Sequence, residues 1–173
     1  FNMYGGNITG NNINNSLGGG VYVDGTFNMY GGSIANNSVT GSDAHGGGVY
    51  VNSGTFTVSG EVNITGNVKG SSASNVYLPS GITIIIGENG LTSGAKIGVT
   101  TANELSNDAP ITIANGATDV NKAYFTSDKG GYLMLDGNAL KLYQTEPHIH
   151  YLCGGDTCSK VGHNEENSKT TFK

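Results

Sequence analysis

The sequence lacks tryptophan and arginine altogether, and only 12% of its 173 residues are charged. Its eight cationic side chains are all lysines that form no run, so it has no clustered positive charge of the kind that displaces counterions from nucleic acid. The longest apolar run, residues 82–86, is interrupted by Thr83, whereas a membrane helix needs about 20 apolar residues. These absences predict a protein with no nucleic-acid partner and no membrane-spanning segment.

The sequence is also poor in the residues that favour helices. Glycine, with 29 copies, and asparagine, with 21, are abundant instead, together with serine and threonine. These residues favour turns and strands, so the composition predicts an all-β protein. The length suits one domain with a small appendage.

Three short sequence elements recur along the first 78 residues. The copies are FNMYGG at 1–6 and 27–32 with FTVSG at 56–60, GGGVYV at 18–23 and 46–51 with SNVYL at 74–78, and NITGN, SIANN and NITGN at 7–11, 33–37 and 63–67. Apolar residues alternate within each element, as they do along a strand with one buried face. Each repeat of 26 to 30 residues therefore holds three strand-like segments separated by glycine-rich corners.

A repeat of three strands and three corners corresponds to one coil of a solenoid. One coil cannot bury its apolar face alone, but coils stacked about 4.8 Å apart pair each strand with its copies above and below. The sequence therefore predicts an all-β parallel β-helix, which we expect to be right-handed. An antiparallel sandwich would show alternating strands without the three-element self-similarity, and a disordered chain would not place apolar residues at repeating offsets.

Stacking superposes like residues from successive coils. The expected interior columns are Phe1, Phe27 and Phe56, then Met3, Met29 and Val58, and finally Ile8, Ile34 and Ile64. The same register aligns Asn11, Asn37 and Asn67 as an amide ladder. The third coil allows a second register, shifted by two, in which Val62 replaces Ile64 as the match.

Beyond the regular coils of residues 1–78, the Gly-Gly signature disappears. Residues 79–145 keep short strand-like runs, and we expect irregular coils followed by a cap, with 103–108 as a loop or one helical turn. A cap is needed because the last coil otherwise exposes its apolar interior and unpaired strand edges. The composition changes again at Glu146, so residues 146–173 are predicted to form a short Cys/His-rich connector or linker.

The patterns Phe-x-Met-x-Gly-Gly-x-Ile-x-x-Asn and Gly-Gly-Gly-Val-Tyr-Val resemble the right-handed β-helix repeats of large surface proteins from gut Firmicutes. They are more distantly similar to polymorphic adhesins and autotransporter passengers. The resemblance covers residues 1–163, and a His-x-His-x-x-Cys-Gly-Gly segment like that at 148–155 recurs between successive modules of such proteins.

This resemblance implies a non-enzymatic structural or adhesive module of a bacterial protein that is secreted or attached to the cell wall. Its expected location is extracellular, and its expected partners are neighbouring modules of the same chain and a host glycan or surface protein. Because the sequence opens inside a repeat, without an initiating methionine, we expect it to be a fragment of a longer chain.

The strongest cluster of chemically active side chains lies in the connector. The candidate metal ligands are His148, His150, Cys153, Cys158 and His163, all within 16 residues. Zinc takes four such donors in a tetrahedron, and four protein donors would make a structural zinc site, with one histidine, His148, spare. A disulfide between Cys153 and Cys158 is the alternative, which an extracellular setting favours.

The Val-Tyr-Val segments predict an exterior column of tyrosines. Their valines point inward, so Tyr22, Tyr50 and Tyr77 should stack along the outer surface. Exposed aromatic rings flanked by asparagine can stack on sugar rings and bind their hydroxyls, which makes these three the candidate ligand-binding residues. The simpler interpretation, which we favour, is that the rings stack on one another and need no ligand.

Enzymes that degrade polysaccharides also use this architecture, which is the alternative to an adhesin. Their active sites need a basic residue beside a metal or carboxylates, or two or three carboxylates close together. Arginine is absent, and Asp24, Asp43 and Glu61 stand at different points of their coils, so no catalytic groove is predicted. His45, in the insertion at 39–45, is expected to be an exposed residue.

Overall fold

The computed structural model describes residues 1–147 in full and only the backbone of residues 149–154 and 157–162. Strands make up 57% of the structure and helix 3%, and the topology is a β-solenoid of about four turns. The prediction of an all-β solenoid is therefore confirmed. No helix in the described part of the chain is long and apolar enough to cross a bilayer.

The elements follow one another along the chain with short connections. They are β1 (Asn2–Met3), β2 (Asn7–Thr9), β3 (Asn12–Asn14), β4 (Val21–Ala35), β5 (Ser38–Thr40), β6 (Val49–Thr65), β7 (Val68–Lys69), β8 (Ser72–Ala73), β9 (Val76–Leu78), β10 (Ile84–Leu91), β11 (Lys96–Thr101), β12 (Ile111–Asn115), α1 (Asp119–Lys122), β13 (Phe125–Ser127), β14 (Tyr132–Asp136), β15 (Ala139–Tyr143), β16 (Ile149–Gly154) and β17 (Thr157–Gly162). Residues 103–108 form a loop, and the helical turn lies further along the chain, in α1.

Parallel pairing of β4 with β6 confirms the predicted interior columns. Phe27 pairs with Phe56, and Ile34 pairs with Ile64. All four side chains are at most 2% exposed. The ambiguity in the third coil is resolved, because Ile64, and not Val62, lies opposite Ile34.

The first coil continues the columns towards one end of the solenoid. Met3 pairs with Met29, and both are buried. Phe1 stacks on Phe27 with ring centroids 5.4 Å apart, but it is 71% exposed and so differs from its interior copies. The reason is that β1 pairs with β4 alone in the described chain, so no strand covers its outer side.

Two register shifts account for two of the four residues by which the repeat lengthens along the chain. The other two lie in the corner at residues 41–44, because Asn14 pairs with Thr40 at a spacing of 26 and Leu17 pairs with His45 at a spacing of 28. Ile8 and Ile34 are paired at a spacing of 26 residues, whereas Ile34 and Ile64 are paired at a spacing of 30. Relative to β4, strand β6 holds one extra residue at Asn52 and another at residues 59–60. Such bulges bend a strand without changing which face its flanking residues occupy, so the columns continue past them.

The glycine triplets are needed where the chain turns into the Val-Tyr-Val strands. Gly18 and Gly46 have φ angles of +69° and +68°, a region that side chains rarely adopt. At the third glycine of the second triplet, Gly48, a Cβ atom would lie only 2.7 Å from Nδ2 of Asn67. The triplet therefore combines a left-handed turn with a close approach to the amide ladder.

The coil after residue 79 is shorter than the earlier ones. Strand β10 stacks in parallel on β6, and β11 then covers two strands of the preceding coil. Ile97 pairs with Ile64 in β6, and two residues later Val99 pairs with Val76 in β9. Gly98 alone spans the distance that residues 65–75 cover in the coil before it, so this coil omits the corner that carries β5 and β7.

An antiparallel hairpin ends the parallel stack. Strand β15 runs antiparallel to β12, and β14 pairs with the other edge of β15. Leu140 and Leu142 of β15 are at most 1% exposed, because they pack against the apolar interior of the last coil. The hairpin therefore covers the interior that a solenoid otherwise exposes at its end.

The predicted amide ladder is confirmed and is longer than predicted. Asn11 Nδ2 donates to Asn37 Oδ1 at 2.9 Å, and Asn37 Nδ2 donates to Asn67 Oδ1 at 3.0 Å. The series continues from Asn67 to Asn75 at 3.1 Å and from Asn75 to Asp128 Oδ1 at 2.6 Å. A carboxylate is a suitable last member because it accepts hydrogen bonds and has no N–H that needs a partner.

Candidate binding site: the tyrosine column and its pocket

Tyr22, Tyr50 and Tyr77 form the predicted exterior column. Tyr50 is paired in register with both other tyrosines. The ring centroids of Tyr22 and Tyr50 are 5.6 Å apart with planes 3° from parallel, and those of Tyr50 and Tyr77 are 5.4 Å apart at 9°. Tyr50 lies between two rings, so a ligand could stack only at the ends of the column.

A second tyrosine pair consists of Tyr30, which lies in β4 like Tyr22, and Tyr4, just after β1. The rings of Tyr4 and Tyr30 stack at 5.0 Å with an angle of 18°. Both side chains are exposed, at 76% and 40%. In both groups the tyrosines contact one another, which is the arrangement that the simpler interpretation of the column predicts.

A pocket of about 400 Å³ adjoins the column at Tyr77. Its charged and aromatic lining consists of His45, Lys69, Tyr77, Asp128 and Lys129, and we refer to it as the Tyr77 pocket. Sites for small molecules typically measure about 300–1,000 Å³, so this pocket is large enough for a small ligand.

The expectation that His45 is exposed is wrong, since its imidazole is half-buried and stacks on Tyr77 with centroids 4.3 Å apart. The insertion holds it there because Ala44 is fully buried and the His45 carbonyl accepts a hydrogen bond from Gly18 N at 3.0 Å. Burial lowers the pKa of His45, the charges of Lys69 and Lys129 lower it further, and only Asp43 opposes them. The imidazole is therefore mostly neutral at pH 7.

Both lysines of the pocket are held by a hydrogen bond to a backbone carbonyl. Lys69, at the end of β7, donates from Nζ to the carbonyl of Ser42 at 2.8 Å. Lys129, just after β13, donates from Nζ to the carbonyl of Thr101 at 3.4 Å. An ammonium group has three N–H donors, so each lysine keeps further donors for a ligand.

Asp128 is the acidic residue of the pocket lining, and its carboxylate is already engaged. Its Oδ1 accepts from Asn75 Nδ2, and its Oδ2 accepts from Asn75 N at 2.7 Å and from Thr100 Oγ1 at 2.8 Å. These bonds orient the carboxylate towards the end of the amide ladder. With two lysines, one carboxylate and a neutral histidine, the pocket carries a local positive charge on a chain whose net charge is −5.

Two of the acidic residues considered for catalysis, Asp24 and Glu61, lie at separate points of the coil. Asp24 accepts hydrogen bonds from the Ser53 hydroxyl and from Asn52 Nδ2, and these two bonds hold the pKa of Asp24 below its usual value. Glu61 lies in register with Gly31, on a different part of the coil. The register therefore stacks neither of these carboxylates on another acid.

The structure describes the predicted metal ligands only in part. His148 and His163 lie outside the described residues, and for Cys153, Cys158 and His150 only the backbone is described. Cys153 and Cys158 are directly paired across the hairpin of β16 and β17, while His150 pairs with Val161. Since successive positions of a strand alternate between faces, positions 150 and 153 belong to opposite faces.

Among the residues whose side chains are described, no three His, Cys, Asp or Glu side chains converge on a point that could hold a metal ion.

Sequence reasoning missed three residues of the pocket. Lys69 had a detectable signal, because its register partner is Val39, whose own partner is Ile13, so a charged residue interrupts an apolar column. Asp128 and Lys129 had none, since they belong to a coil without the repeat signature.

The fold and the pocket define a β-solenoid with a small-molecule-sized depression beside an aromatic column. Comparison of the chain with models of protein families, with curated proteins and with solved structures found no match. A function must therefore be inferred from the solenoid and its surface.

Proposed function

We propose that this chain is a non-enzymatic structural and adhesive module of an extracellular bacterial surface protein, built as a right-handed β-helix. The observation that carries the proposal is the amide ladder, which runs from Asn11 to Asp128 through successive coils. Asn37 and Asn67 are fully buried members of it, so the ladder ties the three regular coils together from inside. A solenoid held in this way is a stiff rod suited to joining neighbouring modules and presenting a surface.

The non-enzymatic part of the proposal is supported by the arrangement of the acidic side chains. General acid and base catalysis on a glycoside needs two carboxylates in matched positions, one of them with a raised pKa. In this protein the pKa of Asp24 is lowered, and Glu61 lies opposite a glycine. Both features favour a binding surface over a cleaving one.

The adhesive role can be tested with beads coated with the full chain. We expect the beads to be retained under flow on a mucin-coated surface and not on an albumin-coated one. We also expect the chain to release no reducing ends from a panel of plant and host polysaccharides. Equal retention on both surfaces would contradict adhesion, and sugar release above that of a heat-denatured sample would contradict the non-enzymatic assignment.

The proposal includes a structural zinc site in the connector at residues 146–173. Direct pairing of Cys153 with Cys158 supports it, because paired positions place two donors within reach of one ion. Histidines of the connector would complete the four donors, although position 150 belongs to the opposite face of the hairpin from positions 153 and 158.

Elemental analysis of the purified chain should find about one zinc per molecule, since a tetrahedral site binds a single ion. The metal should be lost in Cys153→Ser and kept in His45→Ala, which removes a histidine outside the connector. A wild-type chain with no zinc and no reactive thiol after unfolding would overturn the zinc site and indicate a disulfide instead.

A carbohydrate-binding β-helix is the second candidate function, and the Tyr77 pocket favours it. Stacking within the column leaves Tyr50 no free ring face, so a sugar cannot use the whole column as a platform. Tyr77 also stacks on two rings, those of Tyr50 and His45, but unlike Tyr50 it lines a pocket, which contains the exposed hydroxyl group of Ser72. Aromatic and hydroxyl groups together are the usual lining of a sugar site.

A further inference from the structure

We propose that the Tyr77 pocket binds an anionic saccharide whose carboxylate lies between Lys69 and Lys129 and whose sugar ring packs beside Tyr77. This proposal rests on carbohydrate binding, the second candidate function, and adds the charge of the ligand and the residues that select it. Three observations support the proposal. They are the local charge of the pocket, the N–H groups of its lysines that remain free to bind a ligand, and the aromatic and polar groups in the rest of its lining.

The charge of the pocket is opposite to that of the protein. Acidic residues outnumber basic ones by 13 to 8, yet two of the lysines line this one depression. Charges are screened over about 8–10 Å at physiological salt, so a ligand in the pocket is affected mainly by the two lysines and by Asp128, the one acid of the lining. The local charge therefore favours an anion.

The available donors are placed for a ligand with an anionic group. Lys69 and Lys129 each donate one hydrogen bond to a backbone carbonyl, which fixes the direction of the side chain while leaving further N–H groups. The carboxylate of Asp128 accepts three hydrogen bonds from Asn75 and Thr100 and is turned towards the amide ladder. The carboxylate of Asp128 therefore already has hydrogen-bond partners. It competes less with a carboxylate of the ligand for the ammonium groups of Lys69 and Lys129.

The rest of the lining suits the uncharged part of a sugar. Tyr77 is half-buried, and His45 stacks on it, so the pocket contains an aromatic surface that is held in place. Ser72 supplies an exposed hydroxyl group, and the neutral imidazole of His45 can both donate and accept a hydrogen bond. An inorganic anion would use the lysines alone, whereas a saccharide with a carboxylate uses every part of the lining.

The test is calorimetric titration of the full chain with sugars that differ only in charge. The pairs are 3′-sialyllactose with its methyl ester, for a terminal carboxylated sugar, and trigalacturonate with its trimethyl ester, for a uronate chain. We expect at least one anionic sugar to bind about tenfold or more tightly than its neutral counterpart, as charged hydrogen bonds allow. The pair that shows the larger ratio identifies the source of the carboxylate.

Matched variants locate the binding. Lys69→Gln and Lys129→Gln should each weaken binding of the anionic sugar by about tenfold, while Lys96→Gln, an exposed lysine outside the pocket, should leave it unchanged. Tyr77→Ala should weaken binding of both sugars of a pair, and Tyr30→Ala, which removes an exposed tyrosine of the second pair outside the pocket, should not.

The possible failures are distinguishable. Equal binding of the anionic and neutral sugars, with loss in Tyr77→Ala only, would overturn the charge preference and keep carbohydrate binding. Equal losses in all three lysine variants would show nonspecific attraction and overturn the pocket. A wild-type chain that unfolds cooperatively and binds none of the four sugars would overturn both this proposal and the second candidate function.

Discussion

Replacing Asn67 with alanine should lower the free energy of unfolding by about 4 kcal/mol, because several buried polar groups lose their partners at once. The Asn67 amide accepts from Asn37 N and Nδ2 and donates to the carbonyl of Ile34 at 2.8 Å and to Asn75 Oδ1. Water cannot replace it, since Asn67 and Asn37 are fully buried. Urea unfolding followed by circular dichroism measures the loss.

The matched control is Asn11→Ala, at the open end of the same ladder. Asn11 is exposed and donates to Asn37 Oδ1 from both N and Nδ2, so its removal leaves one of the two bonds and gives water access to the rest. Its cost should stay below about 1 kcal/mol. Similar small losses in both variants would contradict the role of the ladder as an internal tie between coils.

The regular coils were predictable because stacking converts a sequence repeat directly into contacts. Phe27 and Phe56, or Ile34 and Ile64, occupy equivalent points of their repeats, so their pairing follows from the pattern. The exact register of the third coil was not predictable. Spacing counts residues, whereas the extra residue at Asn52 and that at residues 59–60 are absorbed in bulges that only the backbone path reveals.

The later coils were harder for the same reason. Asn75 follows Asn67 by only eight residues, and Asp128 lies 53 residues beyond Asn75, so neither has the spacing of the repeat. Gly98 shortens the intervening coil and thereby brings Asp128 next to Asn75. A ladder that continues across a shortened coil leaves no periodic signal in the sequence.

The sequence was sufficient to predict the tyrosine column of the candidate site, but not the Tyr77 pocket beside it. Alternation along Val-Tyr-Val was sufficient to place Tyr22, Tyr50 and Tyr77 together outside. The pocket instead depends on His45, which its insertion folds back against Tyr77, and on Lys129, which a distant strand brings to the same corner. The positions of His45 and Lys129 depend on the paths of loops and of the shortened coil. The repeat pattern does not determine these paths.

Replacing Phe56 with alanine should also cost about 4 kcal/mol, as expected for a large cavity in a packed core. Phe56 is fully buried, stacks on Phe27 with centroids 5.0 Å apart and is covered on its other side by the paired Ile84. Because coils contact it from above and below, neither neighbour can move in to fill the space without losing its own register. Urea unfolding followed by circular dichroism again measures the free energy of unfolding.

Phe1→Ala provides the control within the same column. Phe1 is the same residue type, stacked on Phe27 in the same way, but it is 71% exposed, so its removal should cost less than about 1 kcal/mol. Comparing the loss in free energy of unfolding in Phe56→Ala with that in Phe1→Ala separates the effect of burial between coils from the effect of ring stacking. Nearly equal losses would mean that stacking of the rings, and not their burial between coils, stabilises the solenoid.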